Sequence, residues 1–468
     1  MRRISTRIEG LDHILAGGLP EGCVVLIAGV PGSGKTMLAN QIVFNNATLE
    51  NKALVITTIS EPLAKMVRFT QEYAFFDVNK IGSAVIYEDI SSDLLNQNGE
   101  TAVERITKLV QKHSPAFLVV DSFKILSDLA ESPASFRRMM YKLVATLATL
   151  PCTAFLIGEY ETNDLNTSAE FVAVDAVIEL RNQLLGLRDY RSLRVAKLRG
   201  SDYVSGEHTL CITNQGVMIF PRFVTPPCPV TYTVTGEQVA TGIKGLDELF
   251  GKGILRGTAT LVAGEPGTGK TVTSLHFLLN GAQAGEPGVY ISFQEDPSQL
   301  KHIANNFGFD IDELQQQGML RMFYTSPVEL NVDQHAPLML REIEALNAQR
   351  VVIDSITDFQ ASTSRDTDRY FNYIYALVQH FKNLSITSFF TAEMSEMFGT
   401  GIMMTGVGIS HIVDNVILLR YVEVEQLVRR VLTVLKARGS AHSTQVREYT
   451  ISERGGVCVG KPLSGFRV

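Results

Sequence analysis

The sequence predicts an α/β protein of two tandem domains, each a mostly parallel sheet flanked by helices. Three features predict it. One pattern occurs twice in the chain, and each copy places a glycine-rich turn between an apolar strand and a helix-compatible stretch. Short β-branched runs, such as 117–120, 154–157 and 351–353, alternate with helical stretches.

The repeat fixes the organisation. Residues 7–36 read RIEGLDHILAGGLPEGCVVLIAGVPGSGKT and residues 242–271 read GIKGLDELFGKGILRGTATLVAGEPGTGKT. Later landmarks keep nearly the same register: Lys35 and Lys270 are 235 residues apart, Asp121 and Asp354 are 233 apart, and Lys197 and Lys436 are 239 apart. A duplication explains all three offsets. Between the copies, Thr225-Pro226-Pro227-Cys228-Pro229 disfavours helix and predicts an extended linker. The expected division is a first domain at 1–224, a linker at 225–231 and a second domain at 232–468.

Composition narrows the function. A chain of 468 residues exceeds what one hydrophobic core usually needs, and 45% hydrophobic with 19% charged residues suits an α/β protein. The net charge of −7 argues against a nucleic-acid partner held by bulk charge. Cys23, Cys152, Cys211, Cys228 and Cys458 are scattered, without zinc or redox spacing, so reduced thiols are expected. The opening MRRISTRIEGLD has no apolar run after its arginines, and nowhere is there a stretch long enough to span a bilayer. A cytoplasmic protein with no membrane partner is the expectation.

Gly29-Val-Pro-Gly-Ser-Gly-Lys35-Thr36 and Gly264-Glu-Pro-Gly-Thr-Gly-Lys270-Thr271 both fit the phosphate-binding pattern G-x-x-x-x-G-K-T. Glycines let backbone N–H groups turn toward phosphate oxygens, and the helix that follows adds its positive end. The nucleotide contacts expected here are Gly32, Ser33, Gly34, Lys35, Thr36 and Met37 in the first copy. Gly267, Thr268, Gly269, Lys270, Thr271 and Val272 are their counterparts. Lys35 and Lys270 supply charge for the outer phosphates of ATP, and the Thr36 and Thr271 hydroxyls are the candidate Mg²⁺ ligands.

Asp121 and Asp354 end the apolar strands FLVVD and VVID, 86 and 84 residues after the loop lysines, where a carboxylate can hold the water shell of the metal. Hydrolysis also needs a group that orients or deprotonates the attacking water. Glu295 is the candidate in the second copy and Glu61 in the first. With Pro62 matched to Pro297, Ser60 faces Glu295, so Glu61 stands one place late and the first copy is the poorer hydrolase. Glu159 and Glu393 end two further strands; a solvated strand end and a γ-phosphate sensor are both open for them.

Taken with the I-x-G-L-D starts, the tandem loops, the V-D-x-V-I-x-L-R strands at 174–181 and 413–420 and the K-x-R-G-S marks at 197–201 and 436–440, nearly the whole chain resembles the KaiC family of RecA-like P-loop NTPases. That resemblance implies two RecA-like ATPase domains and a homohexamer of two stacked rings, with ATP at subunit interfaces and an unknown regulatory protein as partner. It implies that Lys197 and Arg199 reach the ATP of a neighbour's first domain, and Lys436 and Arg438 that of its second. Cations arriving in trans would stabilise charge on the transferred phosphoryl group. Leu198, Ser201, Thr213 and Asn214, and Phe307, Ala437, Ser440 and His442, fall where the family lines its nucleotide sites.

The resemblance also implies autokinase activity. Ser410 matches one of two adjacent phosphoacceptors, His411 replaces the other, and Thr405 is an accessory hydroxyl. Where the family has paired glutamates, the leading position holds Gln294 in the second copy and Ile59 in the first. With one acceptor and the leading glutamates replaced, a two-site phosphorylation cycle is not expected, and with only 454–468 after Glu453 the usual activator is not expected either. A signalling ATPase outside a full clock fits these departures.

Two other functions share the motifs. A RecA-type DNA-dependent ATPase would need basic pore loops, but 163–167 and 397–408 carry no Lys or Arg. A nucleotide-gated scaffold would bind ATP and turn over little; phosphate release from Lys35→Ala and Lys270→Ala variants separates it from an ATPase.

Overall fold

In this computed structural model the described residues are 2–58, 63–91, 99–160, 169–185, 188–226, 236–363, 367–394, 409–453 and 455–463. The chain divides into two units, Met1–Arg222 and Phe223–Val468.

In the first unit the strands of the main sheet are β1 (Val24–Gly29), β2 (Ala53–Thr57), β3 (Val85–Asp89), β4 (Phe117–Asp121), β5 (Thr153–Glu159), β6 (Ala176–Leu185), β7 (Arg188–Leu198), β8 (Glu207–Thr213) and β9 (Gly216–Phe220). They form one sheet in the order β3-β2-β4-β5-β1-β6-β7-β8-β9. The strands from β3 to β6 run parallel, and β7, β8 and β9 continue the sheet antiparallel.

The period-two alternation of β1 decides what covers each face. Val25 and Ile27 pack with Leu38, Ile42 and Val43 of helix α1 (Lys35–Asn46). Val24, Leu26 and Ala28 pack on the other face with Ile106 and Leu109 of helix Gly99–His113 and with Phe136, Met140 and Leu143 of helix Pro133–Leu147. Both faces are therefore dry, as a parallel sheet requires.

The second unit repeats the arrangement. The strands of its main sheet are β10 (Ala259–Gly264), β11 (Gly288–Ser292), β12 (Leu320–Tyr324), β13 (Arg350–Asp354), β14 (Thr387–Glu393), β15 (Asn415–Val424), β16 (Leu427–Ala437), β17 (Arg447–Ser452) and β18 (Gly456–Pro462). Their order, β12-β11-β13-β14-β10-β15-β16-β17-β18, is the first sheet's order copy for copy. Helix α2 (Lys270–Gln283) covers one face, with the Phe277 ring stacked on Phe389 at 3.9 Å between centroids. Helices Val332–Leu346 and Thr367–Asn383 cover the other. These are two tandem RecA-like domains. Among the described residues no helix is long and apolar enough to cross a membrane.

Candidate active site

In both units the central strand, β1 or β10, runs straight into a glycine-rich turn and then into the first turn of α1 or α2. Gly32 (φ 73°), Gly34 (φ 101°), Gly267 (φ 76°) and Gly269 (φ 95°) all adopt left-handed backbone, which side-chain-bearing residues resist. A Cβ on Gly34 would stand 2.8 Å from Ile212 Cδ1, and one on Gly269 would collide with Ile451 Cδ1. The ends of β8 and β17 thus pack close against the loops, and the left-handed backbone is what favours glycine there.

Most polar side chains of the loops bond to the loops' own carbonyls, and one does not. Ser33 Oγ is buried and has no hydrogen-bond partner among the described residues. The Thr268 hydroxyl donates to the Glu265 carbonyl at 2.7 Å. Lys35 Nζ donates to the Val30 carbonyl at 2.9 Å, and Lys270 Nζ to the Gly264 and Glu265 carbonyls at 3.1 and 3.0 Å. Burial lowers the proton affinity of both lysines, against the pull of Glu159 and Asp121 on Lys35 and of Glu393, Asp354, Glu295 and Glu265 on Lys270. Met37 and Val272 pack against the adjoining cores.

The hydroxyl–carboxylate corner differs between the copies. In the first, the Thr36 hydroxyl donates to Asp121 Oδ2 at 2.6 Å. In the second, Asp354 Oδ2 accepts from the Tyr290 hydroxyl at 2.7 Å, and Oδ1 accepts from the Thr391 hydroxyl. Strand pairing puts Val55 and Ile157 where Tyr290 and Thr391 stand, so the first copy lacks both donors.

Beside the second loop lies a cavity of about 390 Å³, bounded by Gly267, Gly269, Lys270, Thr271 and Val272 on one side and by Gln294, Glu295, Asp354, Ser355, Glu393 and Ile451 on the other. The parallel strands end here, as ligand sites in open α/β sheets do. Glu295 is half-buried, and desolvation, reinforced by Asp354, raises its proton affinity. Asp296 caps helix Pro297–Asn306, so the two neighbouring acids have different surroundings. Glu61 lies outside the described residues, as do Thr405 and the segments 163–167 and 397–408.

The K-x-R-G-S residues stand at the other end of each sheet. Lys197 pairs with Val177, which lies beside Leu26, whereas the phosphate loop starts beside Leu180 at Gly29. Three residues, ~10 Å of strand, separate the two levels. Lys197 Nζ donates to the carbonyls of Phe171, Val172 and Val174 at 3.1, 2.9 and 2.6 Å, and Arg199 lies 3.6 Å from Asp175. Lys436 does the same to Ser410 and Val413 at 2.7 and 2.6 Å. Leu198 is buried, Ala437 half-buried and Arg438 exposed.

The other expected contacts divide between the two ends. Ser201 Oγ accepts from Arg3, and Ser440 and His442 follow β16 half-buried, all beyond the Lys-Arg end. Thr213 and Asn214, by contrast, form the β8–β9 turn beside their own loop, with the Asn214 carbonyl accepting from Ala74 N–H at 2.9 Å. The Phe307 ring lies 5.5 Å from that of His276 on α2.

Sequence reasoning did not find Ile451, Ser355 or Gln294 as cavity residues. Ile451 was within reach, since its 239-residue offset from Ile212 repeats that of Lys436 from Lys197. Ser355 carries no motif, and Gln294 was singled out only as the residue that replaces a leading glutamate; the parallel strands β11 and β13 bring both to the loop.

Comparison with known proteins agrees with this architecture. The family model described as ATPase: KaiC matches residues 4–223 and 239–464. The chain is similar to the circadian clock oscillator protein KaiC of Thermosynechococcus vestitus, 31% identical over 466 residues covering 97% of this chain and 88% of that one. It is 31% identical to KaiC of Rippkaea orientalis over 469 residues, with the same coverages. With the circadian clock oscillator protein KaiC 1 of Synechocystis it shares 30% identity over 468 residues, again 97% and 88%.

Proposed function

The chain belongs to the KaiC family of ATPases, and from that premise we propose that each of its domains hydrolyses ATP·Mg, in a homohexamer of two stacked rings, with Ser410 as a phosphoacceptor in the second ring. The observation that carries the reading is the second-domain cavity, where the loop lysine, a half-buried glutamate and the strand-end Asp354 face one space. Triphosphate would lie along the loop amides, with Lys35 or Lys270 turning from backbone carbonyls to phosphate oxygens. Orphaned Ser33 Oγ and the glycine cradles fit such an anion.

Hard oxygen donors at the loop threonine and the strand-end aspartate suit Mg²⁺. Thr36 with Asp121, and Thr271 with Asp354, would hold it. The ion would neutralise charge on the outer phosphates. Glu295 is the base we assign to the second domain, and Glu61 to the first. Gly32, Gly34, Met37, Gly267, Thr268, Gly269 and Val272 complete the loop contacts, with Thr213, Asn214 and Phe307 on the same side.

Lys197 and Arg199, and likewise Lys436 and Arg438, are too far down their own sheets for their own loops, which supports their service to a neighbour's nucleotide. Leu198, Ser201, Ala437, Ser440 and His442 would line that approach. Lys436, whose ammonium donates to the Ser410 carbonyl, lies within electrostatic reach of Asp414 as well as of Arg438 and Lys382, and would offer a phosphoserine at 410 a cationic partner.

Two measurements test this. Phosphate release should fall in Lys35→Ala and in Lys270→Ala and vanish in the double variant; turnover untouched by both would sink the ATPase assignment. Intact mass after incubation with ATP·Mg should show one added phosphate that Ser410→Ala removes. An unmodified wild type would retire the autokinase and leave the ATPase standing.

A further inference from the structure

Gln294 and Asp358 form a pair at the edge of the second-domain cavity. Gln294 borders the cavity, and its Nε2 donates to both Asp358 oxygens, at 3.1 and 3.2 Å. An ionised carboxylate only accepts, so Asp358 fixes which end of the amide is the donor and, among the described residues, leaves Oε1 as the uncommitted end. Two backbone anchors hold the pair. Phe293 N–H donates to the Asp354 carbonyl at 3.1 Å, and Asp358 N–H donates to the Ser355 carbonyl at 3.2 Å. Their buried neighbours Phe293 and Phe359 pack edge to face, 5.1 Å between centroids. Burial raises the proton affinity of Asp358, with Asp354 adding to it.

The first domain has neither member. Matching Pro62 to Pro297 puts Ile59 at the position of Gln294, and matching Asp121 to Asp354 puts Ile125 at the position of Asp358. Two polar residues in one copy are replaced together by two isoleucines in the other.

We propose that Gln294 orients the attacking water in the second domain and that Asp358 is the positioning residue that holds its amide in the working sense. This rests on the ATPase reading above and deepens it. In the step, the water oxygen bonds to the γ-phosphorus while the bond from that phosphorus to the bridging oxygen breaks. ADP leaves with that electron pair, and the water proton passes to the Glu295 carboxylate. Gln294 exchanges no proton; its Oε1 accepts a hydrogen bond from the water and sets its line of approach, a role that glutamine fills in other phosphoryl-transfer sites.

The test uses the full-length chain carrying Lys35→Ala, so that turnover reports the second domain. Gln294→Ile and Asp358→Asn should each lower kcat at least about tenfold, with KM for ATP and the midpoint of thermal unfolding unchanged. Gln294→Ile combined with Asp358→Ile should be no slower than Gln294→Ile alone, because the pair acts as a unit. The fold should tolerate that double variant, since the first domain carries isoleucine at both places. Unchanged kcat in an active Lys35→Ala parent would overturn the proposal and leave the ATPase reading intact, as would losses that simply multiply or losses confined to KM. A Lys35→Ala parent with no turnover, beside an active wild type, would overturn the proposal together with the assignment of turnover to the second domain.

Discussion

The hydroxyl of Tyr290, fully buried in the middle of β11, donates to Asp354 Oδ2 at 2.7 Å. Asp354 is itself 5% exposed, and Thr391 serves its other oxygen. Hydrogen bonds to a buried carboxylate are worth about 1.5–3 kcal/mol, and they also set its orientation. Tyr290→Phe keeps the ring and removes the donor. In the Lys35→Ala background it should lower the unfolding midpoint and raise the Mg²⁺ concentration for half-maximal turnover several-fold. The equivalent Val55→Tyr change would have no counterpart of Thr391 to work with. A Tyr290→Phe chain with wild-type Mg²⁺ dependence would mean that Thr391 alone positions Asp354.

Glu295 leads to a pH prediction. Desolvation disfavours its ionised form first, and Asp354 disfavours it further, so its proton is held more tightly than in an ordinary glutamate. A base works only when ionised. Turnover of the Lys35→Ala chain should therefore rise with pH through a step above the usual glutamate value of about 4.3. Glu295→Gln should remove that step and cost about a hundredfold or more in kcat. An acidic limb that survives in Glu295→Gln would assign it to another group.

The parts of this molecule that sequence made legible are those whose chemistry is local. The phosphate loops were readable because strand, glycines, lysine and threonine are contiguous. Asp121 and Asp354 were readable because each closes an apolar run. The Lys-x-Arg marks were visible, but their distance from their own loops follows from the β1–β6–β7 register, which no short segment encodes. The same holds for Ile451, delivered to Gly269 by a hairpin about 180 residues further on. The antiparallel continuation β7–β9 was also hidden, since alternating runs read alike whether a strand adds parallel or antiparallel.

His276 and Gln41 occupy the same place on α2 and α1, yet only one of them is satisfied. Gln41 Nε2 donates to the Val217 carbonyl at 3.1 Å and its Oε1 accepts from Val217 N–H at 2.6 Å. His276 Nε2, under Gly456, is buried with no hydrogen-bond partner among the described residues. Burial lowers its proton affinity, so the unfolded chain binds the proton more readily than the folded one. Stability is then complete above the unfolded value of about 6.5 and falls as pH drops through it toward the lowered folded value. His276→Gln should remove that slope in thermal unfolding and stabilise the second unit by about 1–2 kcal/mol. An unchanged pH slope would exclude His276 as its source.

Arg199 gives the assembly its sharpest test. Its own-chain contacts are modest, a 3.1 Å hydrogen bond to the Val172 carbonyl and an exposed pairing with Asp175, so Arg199→Ala should cost less than about 1 kcal/mol of stability. If it serves a neighbour, loop and cation defects should complement across subunits. With Lys270→Ala in every chain to silence the second ring, Lys35→Ala and Arg199→Ala hexamers should each be nearly inactive. In a ring with head-to-tail interfaces, random equal mixing pairs an intact loop with an intact cation at about one interface in four. Phosphate release from the reassembled mixture should therefore recover to about a quarter of the ring's full rate. A mixture as inactive as its components, or full turnover in Arg199→Ala alone, would show that Arg199 does not act across an interface.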